Sequence, residues 1–457
     1  MVDNKKHFQY LMIILIVAFF VRATYLDTPR DFWHDEAFQY LYSEKPVGFI
    51  IDSTDVHPPL FTLFTKALIT VGIDTIFWLR FTMLLISLLF IAQFFFAVKE
   101  MFNKNVALYS TIFVSFVPTF IYYSTEFRNY MFVLLFTIIQ IKYFNRMLKG
   151  DKKSSLYYVV FSMIMLYSHY LSGLIILSQF VYIFIFKTKI DKYKCYLISS
   201  MAALCLPLVV IIIRTIPKIQ SFWFKNIDFT SLISTFTYII TQPSCRIIGF
   251  SFFFYGLLIY GLIKYRKKLK NIHIQLLFYL LLPISIMWFI SQLIPFYHHR
   301  YFLFGGMSLF ILVGWVVNEL GRKNKDLVYF VFAMFTIMFF IGSNAVTSGF
   351  DDEILMSARA LYNETGNATE DFITIHRSTF SQSPYKVYFH NKPAFLLTNL
   401  TKEQRFTAGG SVVEDYEVIT ELSIINDTNK TIFFVDSIPH QEDLIFSEGG
   451  LYVTKIK

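Results

Sequence analysis

The chain has 457 residues, of which 55% are hydrophobic, 19% aromatic and only 16% charged. A soluble domain carries about 25% charged residues, so this composition excludes a disordered chain and an ordinary soluble enzyme and predicts a multi-span membrane protein with a smaller solvated part. The net charge of +9 averages two unlike regions: residues 351–457 hold 9 Lys and Arg against 16 Asp and Glu, and the remainder holds 32 against 16, a split that suits basic membrane loops and an acidic tail rather than nucleic-acid binding.

A membrane-crossing helix needs roughly 20 mostly apolar residues. Apolar runs near 8–25, 76–98, 106–123, 129–147, 156–168, 171–186, 195–213, 249–265, 273–294, 301–319 and 327–345 predict an α-helical polytopic membrane protein of about 11 spans. The pair 156–168 and 171–186 surrounds His169 and also reads as one long bent helix. The first run is long, and its Arg22-Ala-Thr-Tyr25 flank lacks a clear cleavage site, so it reads as a retained span.

Basic clusters orient the spans. Lys5-Lys6, Lys99 with Lys104, Arg146 to Lys153, Lys187 to Lys194, Lys264 to Lys270, and Arg322 to Lys325 all fall on one side if the N-terminus is cytoplasmic. The 26–75 loop, the 124–128 turn, the 214–248 loop, the 295–300 turn and the tail then lie outside. Counting His57 to Val71 as a further span would break this parity. Residues 58–71 therefore read as a short helix at the outer leaflet, with Pro58 and Pro59 suited to its first turn.

After Gly349 the sequence becomes mixed and polar. Apolar runs at 371–375, 394–398, 431–436 and 450–456, with helical stretches near 352–363 and 382–389, predict a small α/β domain over 349–457, beside a membrane domain over 1–348. The tail has six asparagines, and five begin an Asn-x-Thr acceptor: Asn363, Asn367, Asn399, Asn426 and Asn429. The ten earlier asparagines begin none. This segregation agrees with an outside tail that meets an N-glycosylation machinery. It favours an archaeal cell surface or a eukaryotic lumen. The three cysteines, Cys195, Cys205 and Cys245, form neither a disulfide framework nor a zinc pattern.

Polar side chains gather at the outer ends of the spans, where charge is costly unless used. Phe32-Trp33-His34-Asp35-Glu36 offers two carboxylates for a base or a metal, or else solvated loop charge. Asp55-Val-His57-Pro58-Pro59-Leu60 follows at the start of the interfacial helix. Arg80 either snorkels to headgroups or acts in a site. Glu126 and Arg128 either pair with each other or face a ligand beside Tyr130. His169 lies within an apolar stretch and is either packed or functional. His298-His299-Arg300-Tyr301 closes the set, and its adjacent His side chains diverge too far for a shared metal. Acidic groups from the first loop and arginines from later turns suit a reaction in which a base deprotonates a hydroxyl while cations hold a phosphate leaving group.

In order, spacing and placement, Trp33-x-Asp35-Glu36, Asp55-x-His57-Pro58-Pro59-Leu60, Leu79-Arg80, Glu126-x-Arg128-x-Tyr130, His169 and Arg300-Tyr301 resemble the landmarks of the C-type glycosyltransferase superfamily, family 39, over about residues 8–345. That superfamily includes the protein mannosyltransferases and the aminoarabinose transferase of lipid A. The resemblance implies transfer of a sugar from a polyprenyl-phosphate donor to an acceptor hydroxyl on the exoplasmic face, usually with inversion. The partners implied are a lipid-linked sugar, a glycan, glycolipid or glycoprotein acceptor, and membrane lipids. It makes Asp35 the general base with Glu36 in support. Asp55 and His57 shape the cavity, Arg80, Arg128 and Arg300 take the lipid phosphate, and Tyr130, His169 and Tyr301 line the site with Glu126 beside them. No cofactor is required by the pattern; family members differ on a divalent cation, which stays open. Arg80-Phe81-Thr82 lacks the family's usual proline, and the tail lacks a Trp-Trp-Asp signature, which argues against the oligosaccharyltransferase branch. A transporter or flippase of lipid-linked sugars, or a glycan polymerase, would share the spans and the arginines.

Overall fold

The computed structural model describes residues 2–26, 34–52, 57–187, 228–241, 248–293 and 297–348, scattered positions between 198 and 213, Tyr385, and six strands of the tail. Fifteen α-helices are described. They are α1 (Val2–Ala23), α2 (His34–Glu44), α3 (Val47–Asp52), α4 (Pro59–Thr70), α5 (Ile76–Met101), α6 (Lys104–Phe116), α7 (Pro118–Thr125), α8 (Tyr130–Leu148) and α9 (Lys152–Leu166), followed by α10 (Gly173–Ile185), α11 (Phe229–Thr241), α12 (Ile248–Lys264), α13 (Asn271–Ile290), α14 (Leu303–Gly321) and α15 (Lys325–Ser348).

Local chemistry sets the helix ends. Asn103 caps α6 by accepting from the backbone N–H groups of Asn105 and Val106, both at 3.0 Å. Asp151 caps α9 in the same way, accepting from Lys153 N at 3.1 Å. The expected 106–123 span is broken instead: α6 and α7 meet at Val117-Pro118 with a 62° bend. Proline lacks the N–H and clashes with the preceding turn, which favours a break or kink there. The ambiguous pair around His169 is two helices. His169 has extended backbone, and its Nδ1 accepts from Leu171 N at 3.2 Å, starting the short 3₁₀ turn Tyr170–Ser172 that leads into α10.

Among the described residues, five helices are long and apolar enough to cross a membrane: Lys5–Ala23, Ile76–Met101, Tyr130–Leu148, Asn271–Ile290 and His299–Gly321. The bent α6–α7 pair makes six. Pro59–Thr70, Tyr170–Ile185, Phe229–Thr241 and Gly249–Lys264 are apolar but shorter. Apolar runs show where apolar helices lie but not where a helix breaks, as at Val117-Pro118. The expected short helix over 58–71 is α4. The loop over 26–75 also contains α2 and α3, and the expected 214–248 loop contains α11, neither of which the apolar runs reveal. The expected span at 195–213 lies outside the continuously described residues.

Helix α14 is the axis of the bundle, and 94% of its apolar window is buried. Small residues permit this. A Cβ added at Gly305 would stand 2.1 Å from Tyr279 O of α13, and one at Gly314 2.1 Å from Ser110 Oγ of α6. Close backbone approach at glycine is how helices pack where lipid offers no hydrophobic contrast. Gly305→Ala is therefore expected to push α13 off α14 and to destabilise by about 1–3 kcal/mol, seen as a lower unfolding temperature in detergent.

In the tail, β1 (Phe372–His376), β2 (Ala394–Leu397), β3 (Val418–Ile419), β4 (Thr431–Asp436), β5 (Asp443–Glu448) and β6 (Leu451–Lys455) form one sheet ordered β3-β2-β1-β4-β6-β5. Strands β3, β2, β1 and β4 run parallel, while β6 is antiparallel to both β4 and β5. Ile373, Ile375, Phe433, Val435 and Val453 are buried, at the every-second-residue spacing of one sheet face. Four strands fall where the apolar runs place them; β3 and β5 are additional. The helical stretch expected at 352–363 lies outside the described residues, and of 382–389 only Tyr385 is described.

Candidate active site

Asp35 and Glu36 occupy the first turn of α2, where carboxylates favour the positive end of the helix dipole. Adjacent helical residues point about 100° apart, and the two acids accordingly have different partners. Glu36 is fully buried and meets Arg80, near the start of α5. Arg80 Nε donates to Oε1 at 3.1 Å and Nη2 to Oε2 at 2.7 Å. Phe127 N donates to Oε1 as well, at 2.8 Å. This two-pronged, dry pair ties α2 and α5 to the α7–α8 turn. Arg80 does not snorkel. Two of its guanidinium nitrogens, Nε and Nη2, are engaged by Glu36.

Asp35 is partly exposed and faces the opposite set of cations. Arg300 Nη1 donates to its Oδ2 at 2.7 Å, and Arg128 Nη2 stands 3.9 Å from the same oxygen. Arg128 Nη1 also donates to the Asp35 carbonyl at 3.0 Å. Arg128 does not turn back on Glu126; its Nη2 reaches His57 Nε2 at 2.9 Å. Guanidinium has no acceptor, so His57 Nε2 must accept, which requires the neutral ring. Burial first, then the positive charges of Arg128 and Arg300 and neighbouring His169, hold His57 well below its ordinary value, against the opposing pull of Asp35.

An aromatic arc adjoins these groups. His169 packs 5.6 Å from His57, 5.5 Å from Tyr301 and 5.0 Å from Phe304 between ring centroids. Tyr130 lies 6.2 Å from His169 and under the Arg300 guanidinium at 5.9 Å. Four buried polar atoms in this arc have no hydrogen-bond partner: Arg128 Nε, Arg300 Nε, Tyr130 Oη and His169 Nε2. Leaving a buried polar group unsatisfied costs about 1–3 kcal/mol each. Two of the four belong to the arginines that face Asp35, and such unmet polar atoms suit an oxygen-rich ligand.

Asp35, Glu36, His57, Arg80, Glu126, Arg128, Tyr130, His169, Arg300 and Tyr301 thus come from six separated segments to one neighbourhood. Asp55 and the sequons at Asn363, Asn367, Asn399, Asn426 and Asn429 lie outside the described residues. His298 and His299 do not converge. His298 Nδ1 accepts from Arg300 N at 3.3 Å, whereas His299 turns to Thr235 Oγ1 at 2.8 Å. Among the described residues no group of three or more His, Cys, Asp or Glu side chains is placed to hold a metal ion.

Several supporting residues escape the sequence reading. Asn129 Nδ2 donates to Ser168 O at 2.7 Å and Leu60 N to Tyr167 O at 2.9 Å, which fixes α8 and α4 to the break at His169. On α11, Thr235 meets Tyr297 at 2.6 Å, and Tyr238 pairs hydroxyl to hydroxyl with Tyr123. Ser231, Ser234, Thr235 and Tyr238 fall at helical spacing on one face, and that periodicity was the available signal.

The Glu36–Arg80 pair makes a stability prediction. Arg80→Met should leave Glu36 buried without its cation and cost about 3–5 kcal/mol. The double Glu36→Met/Arg80→Met variant should recover most of that loss. Thermal unfolding of the purified variants in detergent checks both.

Residues 56–213 match the model of the dolichyl-phosphate-mannose-protein mannosyltransferase family. No curated protein matches the chain in sequence. In fold it is similar to ArnT from Cupriavidus metallidurans in the apo state, at 12% identity and a TM-score of 0.62, with 98% of each chain covered. It is also similar to the same protein bound to undecaprenyl phosphate, at 11% identity and a TM-score of 0.56, again covering 98% of each chain. The archaeal oligosaccharyltransferase AglB from Archaeoglobus fulgidus, in complex with an inhibitory peptide and a dolichol-phosphate, aligns at 10% identity and a TM-score of 0.54. That alignment covers 86% of this chain and 64% of that one. The family match covers residues 56–213, and the likeness to these solved structures is one of fold.

Proposed function

We propose that the chain is a membrane glycosyltransferase that moves a sugar from a polyprenyl-phosphate donor to an acceptor hydroxyl. The observation that carries this reading is one carboxylate, Asp35, set between two arginines whose Nε atoms are buried and unpartnered. The family match and the relatives' lipid-phosphate ligands support the donor class.

The donor phosphate sits against Arg128 and Arg300. Guanidinium binds phosphate oxygens in a fork and stays charged as the leaving group gains charge. The sugar lies under α2, with its C1 toward Asp35. The acceptor oxygen attacks C1, the C1–O bond to the phosphate breaks, and polyprenyl phosphate leaves with the electron pair. A sugar or protein hydroxyl is a poor nucleophile at neutral pH, so Asp35 takes its proton as the new bond forms. In the ligand-free site Arg300 is engaged by Asp35. Arriving phosphate competes for Arg300 and leaves Asp35 Oδ2 open to the acceptor. Neutral His57 holds Arg128 in place without adding to the positive charge. Glu36 serves as a positioning residue through Arg80 and Phe127 N.

The sequons favour a dolichyl carrier, and the basic loops favour a site and a tail that lie outside. The tail then chooses or positions the acceptor. Cysteine labelling of residues 351–457 in intact cells checks the topology: labelling without permeabilisation is expected, and labelling only after permeabilisation rejects it. The activity is tested with purified protein, a panel of radiolabelled dolichyl-phosphate sugars, and native lipid or glycoprotein extract as acceptor. Label is expected to pass from one donor into the acceptor fraction. Folded protein that transfers from no donor contradicts the reading.

A further inference from the structure

We infer that His169 supplies a third, uncharged contact to the lipid phosphate, through the N–H at its Nε2. The inference rests on the glycosyltransferase reading, which sets that phosphate against Arg128 and Arg300, and it fixes the sense in which His169 acts.

The backbone decides the tautomer. His169 stands at the break between α9 and α10, and its Nδ1 accepts from Leu171 N at 3.2 Å. Nδ1 therefore carries a lone pair and no proton. Protonating it would set one N–H against another and cost that backbone bond. The ring is thus held neutral with its single proton on Nε2, so at that atom it donates and does not accept.

That N–H is unmet. His169 is buried, and its Nε2 has no hydrogen-bond partner. The rings packed around it, His57, Tyr130, Tyr301 and Phe304, supply no acceptor. Two of those groups lead to each cation of the site. His57 is bonded to Arg128 Nη2 at 2.9 Å. Tyr130 and Tyr301 each lie 5.9 Å from the Arg300 guanidinium. His169 therefore stands one ring away from Arg128 and one ring away from Arg300, and an anion drawn to both comes into its neighbourhood. A neutral N–H suits that place. It adds a directed bond to a charged oxygen without crowding a third positive charge beside two. The same bond strengthens as the C1–O bond breaks and charge builds on the phosphate.

The test is binding of dolichyl phosphate, carrying no sugar, to purified full-length protein in detergent. His169→Phe keeps a ring and removes the N–H. His169→Gln places an amide N–H near the position of Nε2. Both variants give up the acceptor for Leu171 N, so the difference between them reads the donated bond alone. His169→Phe is expected to bind about tenfold more weakly or worse, and His169→Gln to stay within about threefold of wild type. The ratio of wild type to His169→Phe should stay flat from about pH 5 to 8, because a neutral ring has no charge to lose. The groups that face the ring, His57, Tyr130, Tyr301, Arg128 and Arg300, are present in both proteins. Unchanged binding by His169→Phe, equal loss in the two folded variants, or a ratio that falls as pH rises overturns the inference. Arg300→Ala separates this failure from that of the wider reading. Loss of binding there with none in His169→Phe leaves the phosphate at the arginines and removes only His169. Wild type that binds no dolichyl phosphate overturns both.

Discussion

Asp35→Asn is expected to lower turnover by about 10²-fold or more, the low end of what a positioned general base contributes. The substitution keeps the size and one acceptor oxygen for Arg300 but removes the group that takes the acceptor's proton. Donor affinity should change far less, because the phosphate is assigned to the arginines. It is even expected to rise slightly, since an amide competes with phosphate for Arg300 less well than a carboxylate does. The measurement is initial rate against donor concentration, which separates the two effects. Near-normal turnover by a folded Asp35→Asn protein removes Asp35 from the base role. Glu36→Gln should behave differently. Its carboxylate is enclosed by Arg80 and Phe127 N and cannot reach an acceptor, so the loss should appear in stability at least as much as in rate.

Arg300→Ala is the second large effect. It removes the guanidinium nearest Asp35 and one of the two unpartnered Nε donors. A lost hydrogen bond to a charged group costs about 1.5–3 kcal/mol, or roughly 10- to 150-fold in donor affinity. Turnover at saturating donor should fall too, because the same cation stabilises the departing phosphate. Arg128→Ala should weaken binding similarly. It should also loosen His57 and the Asp35 carbonyl, both of which Arg128 holds. Binding of labelled polyprenyl phosphate to each purified variant checks the first effect without relying on turnover. Unchanged binding by both variants would move the phosphate elsewhere.

Much of this site was legible in the sequence because its residues lie next to helix ends. Asp35, Arg128, His169 and Arg300 each stand where an apolar run begins or stops, and charge at such a junction is conspicuous. What the sequence could not assign was partnership. Asp35 and Glu36 are adjacent and chemically alike, and only the turn of α2 sends one to Arg80 and the other to Arg300. In sequence Arg80 is equivalent to the other arginines for the same reason. The bundle was legible as a membrane protein but not in its breaks. Pro118 interrupts an apolar run without changing its composition, and α11 leaves no apolar run because its polar face mixes Ser, Thr and Tyr with Ile and Phe. That face is polar because it packs on Tyr297, His299 and Tyr123 rather than on lipid. In the tail, parallel strands β1, β2 and β4 announced themselves as apolar runs, as buried strands do. The two-residue β3 is too short to leave such a signal.

The central claim is chemical: the protein breaks the bond between sugar and lipid phosphate rather than carrying the intact donor. The most direct measurement is single-turnover quantification of free polyprenyl phosphate and transferred sugar from the same reaction, with purified wild-type protein and a competent acceptor. The account predicts one polyprenyl phosphate released for each sugar transferred, at a rate about 10²-fold lower or more with Asp35→Asn. Intact donor recovered in full from wild-type protein that binds it and moves it across a bilayer would contradict the account and establish a transporter instead.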